Sequence, residues 1–234
     1  MKAAILVYGM YREFDYCIKR WVDIEKYLDC DYYFSTWTKS EQKYSDIDLF
    51  KKFDVTPNMI TDYLPNCVYN IIDNDYIFPI KPPYPNSNML MFHWKNLYKL
   101  MIDSGNHYDI VILIRTDGVL SLNEEVNIDD WINEHPNDLF GDPINMILTN
   151  PDNTKPISEY FELDLYKITS NDIMFAGSMD IMSKWINIIP DTTNINKILH
   201  SHFWLATTFE NLKLYPNPHF PFTCHFIRPK FYLF

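Results

Sequence analysis

Glycine is scarce in this chain, with five among 234 residues. That scarcity excludes glycine-rich phosphate loops of the Walker and dinucleotide-binding types, which need several glycines within a few positions. Cysteine is sparse as well. Cys17, Cys30, Cys67 and Cys224 stand far apart, and no Cys-x-x-Cys pair occurs. Neither a zinc knuckle nor a dense disulfide framework is indicated, so reduced thiols are the simplest expectation. Positive charge is in deficit. A net charge of −11 argues against sequence-independent binding to nucleic acid or anionic membranes. It leaves room for a local basic pocket. Long apolar runs are missing too. No segment approaches the roughly 20 apolar residues that span a bilayer, and the N-terminal run is too short for a signal-peptide core. A soluble, cytoplasmic protein with no membrane span is the expectation.

What the chain has is enough apolar and aromatic sequence for one substantial core. We expect a single domain over residues 1–234. Ala3 to Tyr8 reads as a first strand ending at Gly9. Arg12 to Leu28 has helical spacing, with Phe14, Cys17, Ile18, Trp21, Ile24 and Leu28 on one face. Asp31 to Ser35 is a short aromatic strand. A short helix is expected from Asp46 to Phe53, and Thr56-Pro57 opens another. Cys67 to Ile72 is a strand candidate. The prolines at 79, 82, 83 and 85 make residues 73–87 a loop. Asn88 to Ser104 is helical and stopped by Gly105. Ile110 to Ile114 is a continuous aliphatic run, the pattern of a strand buried on both faces between parallel neighbours. A helix is expected near Ile128 to Glu134 and a strand at Asn145 to Leu148. Another helix passes through Met182, Trp185 and Ile189. The last helix runs from Asn196 to Leu212, with His202 on its apolar line. Strands alternating with helices predict an α/β domain with a mainly parallel central sheet flanked by helices.

Open α/β sheets bind ligands beyond the carboxyl ends of their strands. Four segments place polar residues where an apolar run begins or ends: Gly9-Met10-Tyr11-Arg12, Thr36-Trp37, Arg115-Thr116-Asp117 and Asn171-Asp172. A cation and a carboxylate two residues apart, as at Arg115 and Asp117, suit a diphosphate and its divalent metal. Each residue also has a plain structural reading. Asp117 before Gly118 fits a turn. Arg115 fits a neutraliser of a nearby carboxylate, and Arg12 a solvated charge. Trp37 fits core packing, Asn171-Asp172 a cap, and His202 a core histidine.

The ordered set resembles a small bacterial or viral glycosyltransferase of the GT-A-like, Rossmann-related kind found with capsule and lipopolysaccharide synthesis. The similarity lies in "ILVYGMYREF", "DYYFSTW", "YDIVILIRTD" and "SNDIMFAGS", spread over roughly residues 3 to 212. In that family the third motif often ends Arg-x-Arg-x-Asp or carries two aspartates. Here Leu113 stands two positions before Arg115, leaving Arg115 and Asp117 as the charged pair. Where relatives carry a carboxylate near the last helix, this chain reads His200-Ser201-His202.

The resemblance implies an enzyme that transfers a sugar from a nucleotide-diphosphate donor to a glycan or other hydroxyl acceptor, in polysaccharide or glycan modification. A viral source would put it in the host cytoplasm. Mn²⁺ or Mg²⁺ is the implied cofactor and Asp117 its ligand, because carboxylate oxygens suit hard cations. Gly9, Arg12, Thr36, Trp37, Lys95 and Arg115 are the expected donor-binding residues. Arginines grip phosphate oxygens bidentately, and Trp37 offers a ring for stacking. Asp172, with Asn171, is expected to orient or deprotonate the acceptor hydroxyl. His225 is a further candidate to approach the metal. Two other readings stand beside this one. A nucleotidyltransferase is disfavoured by the missing glycine loop. A non-catalytic carbohydrate- or protein-binding domain would keep the fold without the chemistry.

Overall fold

A computed structural model describes residues 1–43, 50–73, 85–122, 127–143, 170–189, 216–217 and 221–226. Its centre is a strand pair built from the two most aliphatic runs of the sequence. β1 (Lys2–Tyr8) and β6 (Ile110–Arg115) lie side by side in parallel. β2 (Asp29–Trp37) flanks β1 in parallel, and β5 (Val68–Ile72) flanks β2. Beyond β6 come β9 (Ser170–Gly177), β8 (Leu139–Pro143) and the two-residue β10 (Pro216–Asn217). The sheet has seven strands in the order β10-β8-β9-β6-β1-β2-β5. β9 pairs antiparallel with both of its neighbours, so it alone runs against the other six. The mainly parallel α/β expectation is met. The expectation that β6 has parallel neighbours on both sides holds only toward β1, because β9 opposes it.

Alternation along the strands feeds two separate cores. Ala3, Ile5 and Val7 share one face with Ile110, Ile112 and Ile114. Ala4, Leu6 and Tyr8 share the other with Val111 and Leu113. Because both faces are covered, no polar position is needed on either, and the runs read as unbroken aliphatic sequence. The second face is packed by α3 (Pro85–Asp103) and α5 (Met179–Asn187), through Met91, Trp94, Leu97 and Met101, and through Ile181, Met182, Trp185 and Ile186. The first face is packed by α1 (Phe14–Ile18), α2 (Pro57–Thr61) and α4 (Ile128–Glu134), through Phe14, Ile60 and Trp131. An antiparallel pair, β7 (Gly118–Leu122) with β11 (Phe222–Phe226), also lies on this side, placing Leu120, Phe222 and Cys224 in the core.

Several elements differ from the sequence expectation. The helix expected over Arg12 to Leu28 is confined to Phe14–Ile18, followed by a 3-10 turn at Ile24–Lys26. Long-range bonds displace it: the Val22 N–H donates to the Leu120 carbonyl at 2.8 Å, and the Trp21 indole donates to the Gly118 carbonyl at 2.8 Å. The C-terminal part of the expected 46–53 helix is instead β4 (Phe50–Asp54), paired with β3 (Lys39–Lys43). A short segment follows its strand partner over its local propensity. α3 begins at Pro85, inside the expected loop, with proline in the first turn where its missing N–H costs nothing. The expected strand at 145–148 and the helix at 196–212, with His202, lie outside the described residues.

The amino ends of β1, β2 and β6 are tied by polar groups. The Tyr33 and Tyr108 hydroxyls meet at 2.6 Å, and the Tyr108 hydroxyl donates to Asp31 at 2.7 Å. Lys2 Nζ lies 2.9 Å from the same carboxylate, and the Asn106 amide donates to it at 3.2 Å. No helix among the described residues is long and apolar enough to cross a membrane.

Candidate functional site

The opposite, carboxyl ends of these strands form a cleft. Parallel pairing puts Tyr8 level with Ser35 on β2 and with Arg115 on β6. The chain leaves the sheet at that level after β1 and β6, while β2 runs on to Trp37. Gly9 turns out of β1 at φ +114, a conformation that disfavours any side chain. Its N–H still donates to the Ser35 carbonyl at 3.2 Å, and the Thr116 N–H to the Tyr8 carbonyl at 3.0 Å. The Thr116 hydroxyl closes the turn from below by donating to the Met10 carbonyl.

Arg12 is held at φ 32, the one non-glycine residue with positive φ among the described residues. Such backbone conformations cost about 1–3 kcal/mol and persist only when neighbours impose them. Here the Tyr11 ring is buried, and its hydroxyl donates to the Met59 carbonyl at 2.9 Å. The Arg12 N–H donates to Ser40 Oγ at 2.9 Å. Pinned on both sides, the turn sends the Arg12 guanidinium back over the end of β6.

A cleft of about 370 Å³ results, lined on one side by Gly9, Met10, Arg12, Arg115, Thr116 and Asp117. The other side is Trp37 from β2 with Met89, Leu90 and His93 from α3. One wall is charged and the other is apolar and aromatic. Arg115 donates to both oxygens of Asp117, Nε at 3.0 Å and Nη2 at 2.7 Å. Arg12 Nη1 lies 3.9 Å from Asp117 Oδ2. The Asp117 side chain is only 6% exposed, against 44% for Arg12. Asp117 is thus a buried, paired carboxylate rather than a solvated turn residue.

On the aromatic wall, Trp37 stacks on Phe92 with rings 6.2 Å apart and presents edge-on to His93 at 4.7 Å. His93 Nδ1 shares a 2.7 Å hydrogen bond with the buried Ser35 hydroxyl. Burial pushes the His93 imidazole down to about 3, so it is neutral at ordinary pH.

Four of the six expected donor-binding residues, Gly9, Arg12, Trp37 and Arg115, therefore meet in one cleft, together with Asp117, the expected metal ligand. Thr36 does not line it. Strand alternation turns Thr36 to the sheet face opposite Ser35 and Trp37, where it is fully buried. Lys95 does not line it either. It sits two positions beyond His93, about 200° further round α3. Asn171 and Asp172 fall within β9, and His225 within β11, but their side chains lie outside the described residues. Sequence reasoning passed over Met10, Met89, Leu90 and His93 as cleft residues. The one available signal was a histidine beside the apolar line of α3.

The donor set also bears on a divalent metal. Among the described residues no group of three His, Cys, Asp or Glu side chains converges. Both Asp117 oxygens are already engaged by Arg115, and a second guanidinium stands nearby. These described residues do not fit a site for Mn²⁺ or Mg²⁺, which call for several oxygen ligands around the ion. Burial pushes the thiols of Cys17, Cys30 and Cys67 up to about 12, which leaves them unsuited as nucleophiles or ligands. No protein-family model matches the chain, and no curated protein matches it.

Proposed function

We propose that the chain is a glycosyltransferase of the GT-A-like kind, taking a nucleotide-diphosphate sugar as donor and a glycan or other hydroxyl as acceptor. The observation that carries this reading is the two-sided cleft at the carboxyl ends of β1, β2 and β6. Its charged wall holds two arginines against one carboxylate. Its other wall holds the largely buried Trp37 with Met89, Leu90 and His93 of α3. A nucleoside diphosphate has the same two-sided character, a charged diphosphate and a flat base.

In sugar transfer the bond from the anomeric carbon to the diphosphate breaks, and charge grows on the departing oxygen. A cation fixed beside that oxygen lowers the barrier because it gains most when the charge is greatest. Arg12 is the group suited to this. Asp172 is the candidate to accept the acceptor hydroxyl proton. The test is to incubate the protein with a panel of nucleotide-diphosphate sugars and acceptor glycans, and to measure nucleoside diphosphate release. Release that depends on one donor and one acceptor upholds the reading. Its absence across the panel removes it.

A second reading is favoured by one observation. The single carboxylate among the described cleft residues is tied up by Arg115. A non-catalytic domain that binds a carbohydrate or a protein needs no free base. Glycan binding without any response to nucleotides distinguishes this reading from the first.

A further inference from the structure

Arg12, Arg115 and Asp117 sum to one net positive charge at the mouth of the cleft. A divalent cation bound to Asp117 would have to expel a two-pronged guanidinium contact and then sit beside two arginine charges. An anion meets the opposite situation. Arg12 is the arginine placed to receive it, being the more exposed of the two, at 44% against 17%. Its strained backbone follows Tyr11, which enters the core, and carries the side chain that reaches Asp117. The strain is accounted for if the direction of the Arg12 side chain is what matters.

We propose that the cleft is a metal-independent phosphate or diphosphate site. Arg12 supplies the charge that a divalent ion supplies in metal-assisted transferases. Asp117 is a positioning residue, fixed by Arg115, that holds the Arg12 guanidinium toward the cleft. The proposal rests on the donor-site reading only for the nucleoside that the anion carries.

The experiment is calorimetric titration of the full chain with inorganic diphosphate and with a panel of nucleoside diphosphates. Each titration is run in EDTA and again in excess Mn²⁺. Dissociation constants in the two buffers should agree within about threefold. Arg12→Gln, a change at a half-exposed side chain, should weaken binding by about tenfold or more in both buffers. Asp117→Asn should weaken it by a smaller factor. The Arg12→Gln/Asp117→Asn double variant should bind no more weakly than Arg12→Gln alone, since the two residues act through one guanidinium. That non-additivity is the signature a merely structural role for Asp117 does not give. If Asp117→Asn does not fold, the Arg12→Gln comparison in the two buffers still decides the matter.

Binding that appears only with Mn²⁺ overturns the proposal and leaves the donor reading standing. So does binding of Mn²⁺ alone that Asp117→Asn abolishes. Binding of inorganic diphosphate in EDTA with no preference for any nucleoside upholds the proposal and removes the nucleotide-sugar reading. No binding of either probe in either buffer overturns both.

Discussion

At the scale of single residues, the most telling position is Arg12, where the side chain proposed to bind the anion and a backbone constraint pull apart. Glycine tolerates positive φ without strain. Arg12→Gly should therefore leave the unfolding midpoint unchanged or raise stability by up to about 1 kcal/mol, while diphosphate binding is lost. Urea unfolding curves and titrations on one preparation check both halves. Asp117 behaves differently. A turn residue after a buried strand, the plain reading of Asp117 from the sequence, would tolerate Asp117→Asn. Its burial against Arg115 reverses that expectation, since removing one partner of a buried pair costs about 3–5 kcal/mol. His93 gives the third residue-level prediction. Its folded value of about 3 lies below the ordinary 6.5, so between those values the unfolded chain holds a proton that the folded chain refuses. Stability should fall as pH drops below 6.5, by up to about 1.4 kcal/mol per pH unit, and this fall should end near pH 3. His93→Gln should flatten the slope between pH 6.5 and 4. Asp31 enters only lower. Burial pushes its carboxyl up, but hydrogen bonds from Lys2, Tyr108 and Asn106 outweigh this and hold it below its ordinary value. Its contribution is present above pH 4 and is lost as pH falls further.

At the scale of elements, close packing between β7 and β11 makes a test of the first-face core. A methyl group on Gly118 would lie 2.5 Å from Cys224 Sγ and 3.2 Å from the Arg115 carbonyl. Gly118→Ala should destabilise the protein by about 1–3 kcal/mol, and adding Cys224→Ala should recover part of that loss in urea unfolding. The same region explains what was legible in the sequence. β1 and β6 were readable because burial on both faces leaves an unbroken aliphatic signature. α4 and the start of α2 were readable from local signals, a short helical period and Thr56-Pro57. The truncation of α1 was not, because the bonds that end the helical run come from β7, a hundred residues away. The direction of β9 was hidden too. A strand buried on both faces looks the same whichever way it runs. The charged wall of the cleft was legible because parallel strand ends converge by rule. The aromatic wall was not, since it depends on which side of α3 meets the sheet.

At the scale of the molecule, both cores share the same strands, with β1 and β6 giving alternate residues to each. Neither core can melt and leave the other intact. Trp94 and Trp185 report on one core and Trp131 on the other. Tryptophan fluorescence, near-ultraviolet dichroism and far-ultraviolet dichroism should follow one coincident unfolding transition. Separate transitions would break the single-domain expectation. The Asp31 carboxylate, which Lys2 and Tyr108 engage, sits opposite Ala4, four residues and roughly 13 Å below the Tyr8 level of the cleft. Free-energy changes at sites so far apart usually add without coupling. A lining residue outside both cores, such as Met89, can then drift in evolution without eroding the sheet. A lineage that keeps Asp31, Tyr33 and Tyr108 retains its scaffold while its ligand preference wanders.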